Sequence, residues 1–223
     1  MLPQFAYLLV IIIWATTPLA IKLGGESFAP LAGLSLRIVL AFMVGSVICT
    51  LVGYSGLNIR RHWKLYAIAS ISLFPNMALI YMAATFIPSG LVALLLGLTP
   101  FYIAALSKPL LGERSLQPRK MVAIGIALAG LGLFMIDSVS LGSGVFAGVA
   151  LMLFANLLAS ISALLVKRIN GSLAVSPVEQ TLDAMAFSLP GLLICWLVVV
   201  GYEPTHPSPT ALVSLLYLTL ISS

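Results

Sequence analysis

Ser72 and Asn76 stand four residues apart in an otherwise apolar stretch, and Asn156 and Ser160 repeat that spacing. On a helix, residues four apart share a face, so each pair presents two hydrogen-bonding groups together. In hydrocarbon such groups serve either a polar solute or a neighbouring helix, and both readings stand. Thr17 and Trp14 lie one turn apart in the first apolar stretch, and Asn156 is expected to face the cavity near Trp14, Thr16 and Thr17. The Trp14 ring is a surface on which an apolar or cationic group can stack; Tyr81 offers the same with a hydroxyl, and plain packing is the alternative for each. Arg37 lies about 10 Å and Asp183 about 9 Å inside their runs at the helical rise. A cation at that depth binds a carboxylate or fixes a helix; otherwise it snorkels or pairs with Glu26 or Asp137. Glu179 and Asp183 are also four apart, which fits capping of a helix dipole, with a proton or cation site at Asp183 as the other reading.

The elements that must position these groups follow from composition. Of 223 residues, 61% are hydrophobic and 8% charged, with a mean hydropathy of +1.16. A soluble domain is usually about 25% charged, and so few ionic groups would leave large apolar patches in water. A cytosolic enzyme is excluded, and the lipid bilayer is the expected partner. The net charge of +5 reports topology rather than nucleic-acid binding. Seven runs are long enough to span, at roughly 4–22, 31–53, 65–85, 89–111, 120–137, 145–166 and 178–201, and an eighth starts near Thr210. The fold class is therefore an all-α membrane protein, a polytopic helical bundle.

Basic residues gather in alternate connections: Arg60, Arg61 and Lys64; then Lys108, Arg114, Arg119 and Lys120; then Lys167 and Arg168. Because cytoplasmic loops favour Lys and Arg, the amino terminus is expected in the cytoplasm. Cys49 and Cys195 suggest neither a metal site nor a disulfide framework. Neither His62 nor His206 has a metal partner at zinc spacing, and there is no phosphate-cradling loop or nucleophile elbow. No cofactor is expected, and the absences point to a gradient-driven carrier rather than an enzyme.

The chain also echoes itself. Phe5-Ala6 resembles Phe146-Ala147, the run Val47-Ile48-Cys49-Thr50-Leu51-Val52 resembles Leu193-Ile194-Cys195-Trp196-Leu197-Val198, and Leu65-Tyr66 resembles Leu216-Tyr217. Five runs separate equivalent positions, and an odd number reverses direction across the membrane, so the halves are expected to be inverted repeats. Residues 4–137 would form the first repeat and 145–223 part of a second. On that count the chain stops within its eighth span, and the complete arrangement would have about ten spans and about 290 residues.

Pro100, then Leu111-Gly112-Glu113-Arg114, then Gly125 and Gly130, together with Trp14 and Arg37, resemble the EamA family of the drug/metabolite transporter superfamily. The resemblance implies a ten-helix secondary transporter in a bacterial inner membrane, whose two repeats enclose a cavity opening to each side in turn. It also implies small metabolites such as amino acids as cargo, often moved outward, with proton coupling open. A non-transporting interaction subunit, or a nonfunctional truncated relative, is the competing expectation. The cavity candidates are Trp14, Thr17, Ser72, Asn76, Tyr81, Asn156 and Ser160, with Arg37 and Asp183 as the charged candidates.

Overall fold

In the computed structural model of the chain, the described residues are 2–52, 60–113, 144–173, 175–201 and 207–222, with isolated positions between 119 and 133. They are helical throughout: α1 (Leu2–Gly24), α2 (Pro30–Leu51), α3 (Trp63–Ser70), α4 (Asn76–Phe86), α5 (Ser89–Leu96), α6 (Thr99–Leu111), α7 (Val145–Leu173), α8 (Pro177–Val199) and α9 (Pro209–Leu220). Among the described residues five stretches are long and apolar enough to cross a membrane, α5 and α6 counting together as one. The expected fifth run, 120–137, lies outside the described residues apart from those isolated positions, as do Asp137 and His206.

Local chemistry sets the helix ends. Ser176 and Ser208 each precede a proline at the first helical position, and each hydroxyl accepts from the amide three residues on, Glu179 and Ala211, at 3.2 Å. The serine satisfies an orphan donor while the proline removes another. Gly112 and Gly201 close α6 and α8 with φ of 73° and 71°, a left-handed conformation that glycine adopts without a Cβ clash.

Two of the expected runs are not single helices. Residues 65–85 divide into α3 and α4 at Pro75, and 89–111 divide into α5 and α6 at Gly97-Leu98, just before Pro100. α7 buries Val145, Gly148, Val149, Met152, Ala155 and Asn156, while Ala163 is exposed. Gly148 sets the closest approach. A Cβ there would lie 2.7 Å from Ile87 Cγ2 and 3.0 Å from Phe86 Cβ, so α7 meets α4 at a distance only glycine allows.

The strongest packing partners are α4 with α7, α6 with α7, α2 with α8, α3 with α8 and α1 with α9. Lys167 pairs with Glu113 at 2.9 Å and Arg168 donates to the Leu110 carbonyl, bringing the C-terminal ends of α6 and α7 together. This is the basic end of the bundle; Tyr66 and Leu65 of α3 join it by packing on Val166, Ile169 and Val175. At the opposite end Lys22 donates to the Ala84 carbonyl at 2.7 Å, and Ser27 donates to Ser208 at 3.2 Å.

Candidate functional site

The polar groups gather at three levels. At the α5/α6 break, Pro100 has no N–H to give the Leu96 carbonyl; the Thr99 hydroxyl reaches that carbonyl at 2.7 Å. Asn156, 2% exposed on α7, donates its amide to the Leu95 carbonyl at 2.7 Å, and its own oxygen stands 3.0 Å from Thr99 Oγ1. Thr99 has one proton and two acceptors, so its hydroxyl serves Leu96 and Asn156 in turn. In hydrocarbon an unpaired carbonyl costs several kcal/mol. Thr99, beside the proline, supplies the missing donor, and Asn156 ties the break to α7.

The α3/α4 break is repaired from within. The Asn76 amide N–H reaches back to Ile71 at 3.2 Å, passing over Ser72, and the Asn76 side-chain nitrogen donates to the Ser72 carbonyl at 3.0 Å. Asn76 Oδ1 and Ser160 Oγ are both buried without a hydrogen-bond partner. Ser72 lies in the break and turns its hydroxyl onto the Ala69 carbonyl. The expected shared helical face of Ser72 and Asn76 is therefore absent, because Pro75 interrupts the helix between them.

Towards the opposite end, Arg37 is 3% exposed. Its guanidinium donates to the Ser222 carbonyl at 2.9 Å and to the Tyr81 hydroxyl at 3.3 Å. Thr17 gives its proton to the Ile13 carbonyl at 2.7 Å, so Ser222 is the donor in the 2.7 Å contact between their hydroxyls. Neither snorkelling nor a pairing with Glu26 describes Arg37; its length is used inward, across α4 and the end of α9. Tyr81 also lines a cavity of about 220 Å³ with Lys22, Glu26 and Thr85.

At the basic end the Tyr66 hydroxyl donates to Glu179 Oε1 at 2.6 Å, and Asp183 is fully buried one turn further along α8. A second cavity of about 390 Å³ lies between α2, α8 and the end of α9, lined by Gly45, Cys49, Leu182, Met185 and Thr219 among others. Among the described residues no group of His, Cys, Asp and Glu could hold a metal ion.

The structure thus joins Thr17, Tyr81 and Arg37 in one cluster, and sets Asn156, Asn76, Ser72 and Asp183 apart from it. Trp14 is 70% exposed on α1. The expectation that Asn156 faces Trp14, Thr16 and Thr17 is not met: its amide is engaged on α5 and α6, and the two threonines meet Tyr217 and Ser222 instead. Sequence reasoning passed over Tyr66 as a site residue, having used it only as a repeat marker.

A family model described as the EamA-like transporter family matches residues 1–136, more than half of the 223-residue chain. No curated protein and no solved structure matches. With its apolar helices, that match makes this a multi-pass membrane protein of transporter type. The chain belongs to the EamA-like transporter family.

Proposed function

We propose that the protein is a secondary transporter that moves small metabolites, outward from the cytoplasm, by alternating access between two oppositely oriented repeats. The observation that carries this reading is the pairing of helices. If α1 is equivalent to α7, α2 to α8, and α3 with α4 to α9, then the packing of α1 on α9 has its counterpart in α7 on α4. Likewise α2 on α9 has its counterpart in α3 on α8, and α2 on α8 is its own. Such exchange symmetry is what inverted repeats produce, and transporters of this design place their sites at discontinuous helices near the midplane. The two breaks, with Asn76, Asn156 and Ser160 buried beside them, support a path at that level. The basic end of the bundle, by the excess of Lys and Arg, belongs in the cytoplasm of a bacterial inner membrane.

The test is flux. In proteoliposomes loaded with a panel of labelled metabolites, amino acids included, the reading expects saturable, protein-dependent movement of one chemical class. It also expects that class to exchange against itself across the membrane. A folded protein that moves none of the panel would contradict it.

A further inference from the structure

Asp183 and Tyr66 are each 0% exposed, and Tyr66 is enclosed by an apolar shell of Leu65, Val166, Ile169, Val175 and Phe187. Tyr66 has one hydroxyl proton and gives it to Glu179 Oε1 at 2.6 Å. Asp183 lies one turn deeper than Glu179 on α8, the helix on which α3 packs. Glu179 is only partly buried, at the mouth of the bundle's basic end. The three side chains therefore run inward from the surface to a carboxyl enclosed by the helices.

Two arrangements of this row are chemically distinct. With Asp183 ionised, two carboxylates compete for one phenol proton in a medium of low dielectric, and a buried charge there is costly. With one proton added to a carboxylate oxygen of Asp183, the carboxyl can donate to Tyr66 Oη while Tyr66 donates to Glu179. Every proton then has one acceptor, and the row carries a single negative charge at its exposed end. Ionisable groups within membrane spans mark ion and proton paths for this reason.

We propose that Asp183 is a proton-binding site reached from the basic end of the bundle, and that Tyr66 is the positioning residue that links its state to Glu179. The proton comes from water at that end, binds the Asp183 carboxylate and returns to water when the carboxyl gives it up; no other reactant is needed. The other titratable or charged groups on the packed elements are His62, whose ring centroid lies 6.3 Å from that of Tyr66, and Lys64 on the α3 side. On α2 they are Arg37 and Cys49, and on α7 Lys167 and Arg168. Arg37 is committed towards the opposite end through Tyr81 and Ser222. Because α3 packs on α8 through Tyr66, a change in the row acts on the half-span that leads into the Pro75 break.

Infrared difference spectra of the full chain in lipid, titrated with acid and with no cargo present, read the site directly. The proposal expects a protonated-carboxyl band that is lost in Asp183→Asn, moves to higher frequency in Tyr66→Phe and survives in Glu179→Gln. Asp137 and Asp183 are the only aspartates in the chain, so carboxyl-carbon-13 aspartate incorporated into an Asp137→Asn protein must shift the band. That arm leaves Asp183 in place and holds even if Asp183→Asn fails to fold. A band that keeps its frequency under this labelling, that disappears in Glu179→Gln, or that never forms would overturn the proposal. Because the readout is proton binding without cargo, its failure leaves the transport reading untouched, and a failed flux assay leaves the band.

Discussion

Asn156 on α7 donates a 2.7 Å hydrogen bond to the Leu95 carbonyl, so a side chain from the second half of the sequence is tied to the helix break in the first. Replacing Asn156 with Ala removes two hydrogen bonds at the α5/α6 break, while Leu95 keeps the Leu98 amide and Thr99 keeps the Leu96 carbonyl. The expected loss is about 1–3 kcal/mol of stability, read from unfolding in detergent micelles. Unaltered stability would mean that the break needs no partner.

Close approach of α7 to α4 makes a second prediction. Gly148→Ala places a Cβ 2.7 Å from Ile87 Cγ2 and 3.0 Å from Phe86 Cβ, and the latter cannot yield without moving the α4 backbone. Overpacking of this kind costs about 1–3 kcal/mol. Gly90 is the control: nothing lies within 4 Å of its added Cβ, and Gly90→Ala should be neutral or stabilising by up to about 1 kcal/mol. Parallel melting curves compare the two, and equal effects would remove the steric argument.

Arg37 joins α2 to Tyr81 and to the Ser222 carbonyl. Lysine cannot reproduce a planar fork reaching two acceptors, so Arg37→Lys should destabilise by about 1.5–3 kcal/mol, and Tyr81→Phe by about 0.5–1.5 kcal/mol. The double variant should cost less than the sum, because the two changes remove a shared contact. Strict additivity would show that the 3.3 Å contact carries no energy.

The Lys167–Glu113 pair is short, but its side chains are 60% and 54% exposed. An exposed pair contributes about 0.2–1 kcal/mol, so Glu113→Gln should shift the melting midpoint only slightly and the difference should vanish in high salt. A large, salt-independent loss would point to a buried role that the geometry does not give it.

Hydropathy made the spans legible because bilayer thickness fixes how many apolar residues a crossing needs; α1, α2, α7 and α8 fall close to the runs read from sequence. The breaks were less legible. Proline marks a missing donor, and Thr99 beside it supplies one, but which other helix ties onto the break depends on the packing. Nothing near Pro100 in sequence names Asn156. Arg37 shows the same limit, since its depth follows from the helical rise while its partners Tyr81 and Ser222 come from other helices. Tyr66 was hidden for a different reason: a lone tyrosine near a helix end looks like an interfacial anchor until α8 places Glu179 and Asp183 beside it.

Accessibility of single cysteines tests the inverted arrangement most directly. In a Cys49→Ser, Cys195→Ser background, cysteines placed one at a time at Arg60 and Pro207 lie in the connections that follow α2 and α8, the helices the proposed repeat makes equivalent. Labelling sealed vesicles of known orientation with a membrane-impermeant maleimide should modify position 60 from the cytoplasmic side alone and position 207 from the opposite side alone. Modification of both positions from the same face would contradict the account.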